Sequence, residues 1–183
     1  QNGSDANRYI LKLMTYEQDP LNNDFNNKML SMGCKLFSLK DNHDDSEYKG
    51  EFLYENYIKK NWNGEWYKLY DTGTNIDGII QGFTSQNIRK QLSKAYSFVD
   101  VTAHGAQTGW GTKEEIRFSC ADAEDYIPHG FSMITTNACF TNAFDQNEKQ
   151  GLTAEPCLSE SLIRSIDYGT VAYWGCSREG WDS

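Results

Sequence analysis

Two residues able to carry acyl-transfer chemistry each stand directly after an apolar, strand-like run in this 183-residue chain. His104 follows YSFVDVTA (residues 96–103) and is itself followed by Gly105, while Cys139 follows FSMITTNA (131–138). A thiolate attacks a carbonyl carbon, and a nearby imidazole carries the proton that the leaving amine needs. Gly105 leaves its backbone N–H accessible, and together with the N–H of Cys139 it could hold an oxyanion. Taken singly, each residue has a plainer reading. A His after a strand is commonly a surface or capping residue, and a Cys after an apolar strand is commonly structural. Spacing alone leaves both readings open. His129 and His43 compete poorly as bases, because each lies in a polar or Pro-containing loop and neither directly follows a strand.

The elements that must position the pair alternate between strand and helix. Residues 28–39 (KMLSMGCKLFSL) read as a strand, and EYKGEFLYENYIKKNW as a helix with Phe52, Leu53 and Tyr57 at helical spacing. WYKLY (66–70) is a short strand, and DTGTNIDG a Gly-rich turn. Thr84 or Ser85 caps a helix through NIRKQLSKA, with Ile88 and Leu92 one turn apart. A looser Trp- and Gly-rich segment follows His104. Pro156 fits a first helical turn, Leu158, Leu162, Ile163 and Ile166 make an apolar stripe, Gly169 ends that helix, and TVAYWG starts another buried strand. Repeated strand–helix–strand units with near-continuous apolar strands predict an α/β fold with a mostly parallel sheet flanked by helices. In such a sheet functional groups gather beyond the carboxyl ends of the strands. The segment between His104 and Cys139 is long enough for the crossover that parallel pairing requires. If the two strands are parallel neighbours, both side chains emerge at one edge.

Composition narrows the function classes. A formal net charge of −9 argues against a nucleic-acid surface, and no apolar run reaches the roughly 20 residues a membrane-spanning helix needs. The five cysteines are Cys34, Cys120, Cys139, Cys157 and Cys176. Their odd number leaves at least one thiol free, and no C-x-x-C spacing suggests a zinc or redox motif. Cys34 and Cys176 lie in apolar runs and read as small buried hydrophobes. The stretch DNHDDSE (41–47) reads as an exposed acidic loop.

The order strand-His-Gly, then strand-Ala-Cys, resembles the caspase–legumain–gingipain group of cysteine peptidases, and the gingipains of bacterial cell surfaces in particular. VTAHGAQTGWG is similar to the gingipain histidine segment, Trp110 included, and TTNACFTNAF to the nucleophile segment. EPCLSESLIRS and GTVAYWGCSREGW resemble the helix, strand and specificity loop that follow. The resemblance covers residues 66–183 well and 6–65 weakly. It implies a caspase-like fold, with Cys139 as nucleophile, His104 as general acid–base, and the N–H groups of Gly105 and Cys139 as oxyanion binders. Trp181 falls where gingipains place a Trp beside the primary specificity pocket. Glu47 aligns nearest to the acid on that pocket's floor, with Asp44 and Asp45 in competition; a solvated acidic loop is the other reading of all three. The acid that supports the catalytic His in gingipains falls near Lys40 or Asp41.

By this resemblance the chain is a secreted or cell-envelope bacterial endopeptidase that cleaves peptide bonds, with Arg or Lys before the scissile bond. Its alternatives are a transpeptidase that processes exported proteins and a non-catalytic binding module on the same fold. The chemistry requires no cofactor or metal. The family and the acidic loops are compatible with structural calcium, although no EF-hand-like spacing occurs. Residues 1–183 are expected to form a gingipain-like catalytic domain incomplete at both ends, as a fragment or processed chain, with protein substrates and a second chain of the same precursor as partners. A secretory signal is absent from QNGSDANRY.

Overall fold

The structure is a computed structural model, and it describes residues 3–18, 24–36, 45–71, 74–76, 79–145, 155–164 and 169–180. Its frame is a five-stranded sheet built from β1 (Lys28–Gly33), β2 (Glu65–Tyr70), β5 (Phe98–Thr102), β9 (Phe131–Thr136) and β10 (Gly169–Trp174), in the order β10-β9-β5-β1-β2. Every neighbouring pair in it is parallel. The expected mostly parallel α/β sheet is therefore the observed one. The shorter strands are β3 (Thr74–Ile76) and β4 (Ile79–Gln81), paired as a hairpin, and β6 (His104–Ala106), β7 (Gly109–Gly111) and β8 (Ile116–Ser119), a small antiparallel sheet. Among the described residues the α-helices are α1 (Gly3–Gln18), α2 (Asp45–Leu53), which runs on into a π-helical turn at Tyr54–Ile58, α3 (Ser85–Ser93), α4 (Cys120–Asp125) and α5 (Leu158–Ile163), and a short 3-10 turn at Asp24–Asn27 leads into β1.

One face of the sheet makes the core. Leu69, Leu30, Met32, Val99, Val101 and Ile134 project from it, each almost fully buried against Ile88 and Leu92 of α3, Ala123 of α4, and Leu158 and Leu162 of α5. Burying each such side chain is worth about 1.5–3 kcal/mol. Trp110 and Phe118, from β7 and β8, stack at 5.3 Å and extend this core towards the carboxyl edge of the sheet. The helices begin where their sequences say they should. Thr84 accepts from Asn87 N at the start of α3, and Ser119 and Asp122 form a reciprocal cap on α4.

The opposite face is more polar. Ser31 of β1 lies beside Asp100 of β5, and Thr135 donates to the Asp100 carboxylate at 3.0 Å. Burial pushes the Asp100 carboxyl above its ordinary pKa, partly offset by that hydroxyl. α2 covers this face at β1, where Gly50 closes on the Tyr70 ring and Ser46 on Gly33. α1 docks on the outer strand: Tyr9 donates to Val171 O at 2.8 Å, and Lys12 to Ile163 O at 2.6 Å and Thr170 O at 3.3 Å.

Several boundaries differ from the sequence reading. β1 stops at Gly33, so Cys34 to Leu36 are not strand, and residues 37–39 lie outside the described residues. Pro156 precedes α5 instead of occupying its first turn, because Cys157 is the cap, with Glu160 closing back on its N–H. α5 ends at Ile163; Ile166 lies outside the described residues, and Gly169 opens β10 at φ 103. Only glycine takes that conformation without strain. Cys176 is also not the buried strand residue expected, since it follows β10 in a partly exposed loop.

Candidate functional site

β5 and β9 are adjacent and parallel, with Val101 opposite Thr136. The residues that follow them therefore leave the sheet at the same edge. His104 opens β6, and Cys139 opens the turn after β9. Gly105 brings the two segments together. A Cβ placed on it would stand 2.4 Å from Cys139 O, 2.6 Å from Cys139 N and 2.7 Å from Ala138 C. No side chain fits between them, so Gly105 allows the main chain of the His segment to press against that of the Cys segment. The sequence order His-Gly thus has a steric cause at this site.

The His104 ring is half-buried, and its Nε2 lies 2.9 Å from Leu36 O. A carbonyl only accepts, so this contact requires the proton on Nε2 and leaves Nδ1 as the nitrogen that can exchange one. The sequence reading looked for a supporting acid near Lys40 or Asp41. Both lie outside the described residues, and among the described ones it is a backbone carbonyl that orients the ring.

Cys139 sits at a sharp turn. Phe140, next in the chain, has φ 60, a left-handed conformation that costs a non-glycine residue about 1–2 kcal/mol. The turn is held by Ala143 N on Phe140 O at 3.0 Å and by the Thr141 hydroxyl on Ala138 O at 2.9 Å. It is also zipped to the loop after β10. Phe140 N donates to Arg178 O and Asn142 N to Cys176 O, both at 3.0 Å. Gly180 N donates to the Cys139 sulfur at 3.3 Å. Arg178 then grips the Asp145 carboxylate through both guanidinium nitrogens, at 2.8 and 2.5 Å, which holds that carboxyl below its usual range.

Beside His104 an open groove of about 310 Å³ is lined by Gly105, Ala106 and residues 112–116, with Lys113, Glu114 and Glu115 among them. Glu47 is half-buried on α2 and does not line this groove. Its charge acts on Tyr70, whose phenol is pushed far up by burial first and by Glu51, Asp100 and Glu47 after it. Asp45 starts α2, whereas Asp44 and Trp181 lie outside the described residues. His129 precedes β9 and so belongs to the opposite edge of the sheet, where its N–H donates to Ser93 O.

The remaining cysteines divide. Cys34 is fully buried with its thiol on Gly111 O, and Cys120 and Cys157 have thiol pKa values raised by burial. Cys176 went unnoticed as a candidate, although it follows its strand as His104 and Cys139 follow theirs. Among the described residues no group of three or more His, Cys, Asp or Glu is arranged to hold a metal ion. Of the acidic stretch 41–47, residues 41–44 lie outside them, and 45–47 open α2 with Ser46 buried, where an exposed loop was expected. No helix among the described residues is long and apolar enough to cross a membrane.

A parallel five-stranded sheet flanked by helices, with a thiol and an imidazole at one carboxyl edge, defines a caspase-like α/β domain. More narrowly, the chain belongs to peptidase family C25, whose family model matches residues 1–183. Its fold is similar to that of the Arg-specific cysteine proteinase gingipain R (RgpB), with a TM-score of 0.58 and 22% identity over 80% of this chain. The complex of the Porphyromonas gingivalis RgpB pro- and mature domains also matches, with a TM-score of 0.50 and 20% identity over 80% of this chain. The chain spans 31% of the length of each of those matched chains. No curated protein sequence matches it significantly.

Proposed function

We propose that this chain carries the catalytic residues of a cysteine endopeptidase, with Cys139 as nucleophile and His104 as its proton carrier. The observation that supports this most directly is the close approach of Gly105 to the main chain of Cys139. That approach supports the reading in which the N–H groups of Gly105 and Cys139 together receive a tetrahedral oxyanion. In the forward step the Cys139 thiolate adds to the substrate carbonyl carbon. The oxyanion is received by the N–H groups of Gly105 and Cys139. Imidazolium Nδ1 of His104 gives its proton to the departing amine, the C–N bond breaks, and a thioester remains. Water then adds to that thioester, giving a proton to Nδ1, and the C–S bond breaks to release the acid and the thiolate. Leu36 O keeps the Nε2 proton in place throughout. Peptides and proteins are the proposed substrates, and similarity to gingipain supports a secreted or cell-envelope setting.

Basic side chains before the scissile bond are the specificity to test first. The fold resembles that of an Arg-specific proteinase, and Glu47 and Trp181 are the residues proposed to line the pocket. The experiment measures kcat/KM on matched peptides with Arg, Lys, Asn or Asp before the scissile bond, for the natural protein and for Cys139→Ala. The expected result is a loss of about 10³-fold or more in the variant, with its fold intact. Activity that survives in Cys139→Ala overturns the nucleophile. Equal rates on all four peptides overturn the basic preference alone.

A further inference from the structure

Cys139 shares its surroundings with a second thiol. Gly180 N lies 3.3 Å from the Cys139 sulfur, and Gly180 O lies 3.7 Å from it. The same glycine also faces Cys176: a Cβ built on Gly180 would stand 2.9 Å from the Cys176 sulfur. Both sulfurs therefore lie against one residue. Both also belong to segments already zipped together, through Asn142 N on Cys176 O and the Cys176 thiol on Asn137 O at 3.5 Å. Cys176 is partly exposed and outside any regular element, so small oxidants reach it. Its pKa is raised, by burial first and then by the charge of Cys139, which expresses the same closeness. Cys120 and Cys157 also neighbour each other, but Cys157 is fully buried in the core side of α5. At the sheet edge, by contrast, both thiols are partly exposed and both lie against Gly180.

We infer that Cys176 is a resolving thiol that captures oxidised Cys139 as a reversible Cys139–Cys176 disulfide, with hydrogen peroxide or an organic hydroperoxide as the oxidant. This rests on the reading of Cys139 as the reactive thiolate. In the first step the Cys139 thiolate attacks one peroxide oxygen, the O–O bond breaks, and hydroxide (or alkoxide) leaves, so that Cys139 becomes a sulfenic acid. In the second, the Cys176 thiolate attacks that sulfur, the S–S bond forms, and the S–O bond breaks with loss of hydroxide. Protons from the two thiols and from solvent convert the oxygens to water or alcohol. Two thiols are oxidised by two electrons in all, and one peroxide is reduced. A disulfide here blocks the nucleophile, yet stops it short of the sulfinic and sulfonic acids that thiols cannot reduce. An enzyme of this kind would be switched off by peroxide and restored by a dithiol.

The test treats the natural protein, Cys176→Ser and Cys139→Ser with hydrogen peroxide. Each is then mapped by non-reducing peptide mass spectrometry, and the natural protein and Cys176→Ser are assayed before and after dithiothreitol, each relative to its own untreated activity. The natural protein should yield one cross-linked peptide pair joining residues 139 and 176, absent from both variants. In Cys176→Ser, the activity that dithiothreitol recovers should fall about fivefold or more, with Cys139 found as sulfinic or sulfonic acid. Absence of the cross-linked pair in the natural protein overturns the inference, as does equal recovery in Cys176→Ser. If Cys139→Ala abolishes peptidase activity but no disulfide forms, the inference alone fails. If the disulfide forms while Cys139→Ala keeps its activity, the thiol pair stands and the proposed nucleophile fails.

Discussion

The core face of the sheet and its carboxyl edge are assembled from different materials. Under α3, α4 and α5 the contacts are between side chains, with Leu30, Val99, Val101, Ile134, Leu158 and Leu162 interlocked and excluded from water. At the edge, most contacts that place His104 and Cys139 are made by the main chain: Leu36 O, the Gly105 backbone, Gly180 N, Arg178 O and Cys176 O. Side-chain packing resists a change of volume, because voids and clashes both cost free energy. Backbone placement resists any change that moves the chain, whatever the side chain is. The core face should therefore report its mutations as stability, and the edge should report them as rate.

The sharpest separation is expected at Gly105. Gly105→Ala adds a methyl that must displace the Cys139 backbone, so kcat/KM should fall about 10²–10³-fold, the loss typical of one misplaced oxyanion donor. Its melting temperature should change far less than its rate, as measured by calorimetry beside the peptidase assay. A variant with full activity would break the contrast. Next comes Leu162→Ala on α5, which removes a fully buried side chain and should cost about 2–5 kcal/mol by urea unfolding. kcat per folded molecule should stay near that of the natural protein. A loss of kcat as large as that of Gly105→Ala would show that core and edge are not separable.

The smallest effect sharpens the comparison at the outer strand, where a side chain does reach main chain. Burial lowers the Lys12 pKa from its ordinary 10.5 to about 8. Between those values the unfolded chain binds the proton more than the folded one does, so this group adds stability as pH rises from about 8 to 10.5. Below pH 8 both states are protonated and the penalty for burying the charge is complete. Tyr126, pushed up to about 12 by burial, works against this trend once pH exceeds the ordinary phenol value. The useful quantity is thus the difference between the natural protein and Lys12→Met in urea midpoints across that window. A difference that does not change with pH removes Lys12 as the cause.

How much of this was legible in the sequence depended on how each element is stabilised. The strands of the main sheet announce themselves by runs rich in apolar residues, most fully in β1, which is covered on both faces, and less so in β2 and β10, which are buried for half their length or less. His104 and Cys139 stood out because each ends such a run, and the parallel register of β5 and β9 gives that position its meaning. α1 was not visible as a helix, because apolar residues lie on both its sides: Leu13 and Tyr16 pack against Phe131 and Val171, while others face outwards. Ile10, Leu11 and Met14 are exposed, and Lys12 and Tyr9 make the anchoring bonds. The sheet of β6 to β8 escaped for a different reason: strands of three or four residues are too short to show alternation. Leu36 was invisible as the partner of His104 since any residue supplies a carbonyl. Cys176 was misjudged because the apolar run GTVAYWG continues past the last paired residue, Trp174, and made the thiol look buried.

The docking of α1 also bears on how this protein keeps itself from assembling with its own copies. β10 is an outer strand, and an outer strand offers unpaired carbonyls and N–H groups as a template for a neighbour's strand. Here the register shifts between Thr170 and Ala172, and the carbonyls of Thr170 and Val171 are both taken by Lys12 and Tyr9. The first half of β10 is thus sealed against strand addition by a kink, a charge and a helix. The second half ends in Trp174, which is 81% exposed among the described residues. Among the described residues Trp174 is thus the point of this edge most open to a neighbouring strand, and a charged residue there would close it at some distance from the sealed half.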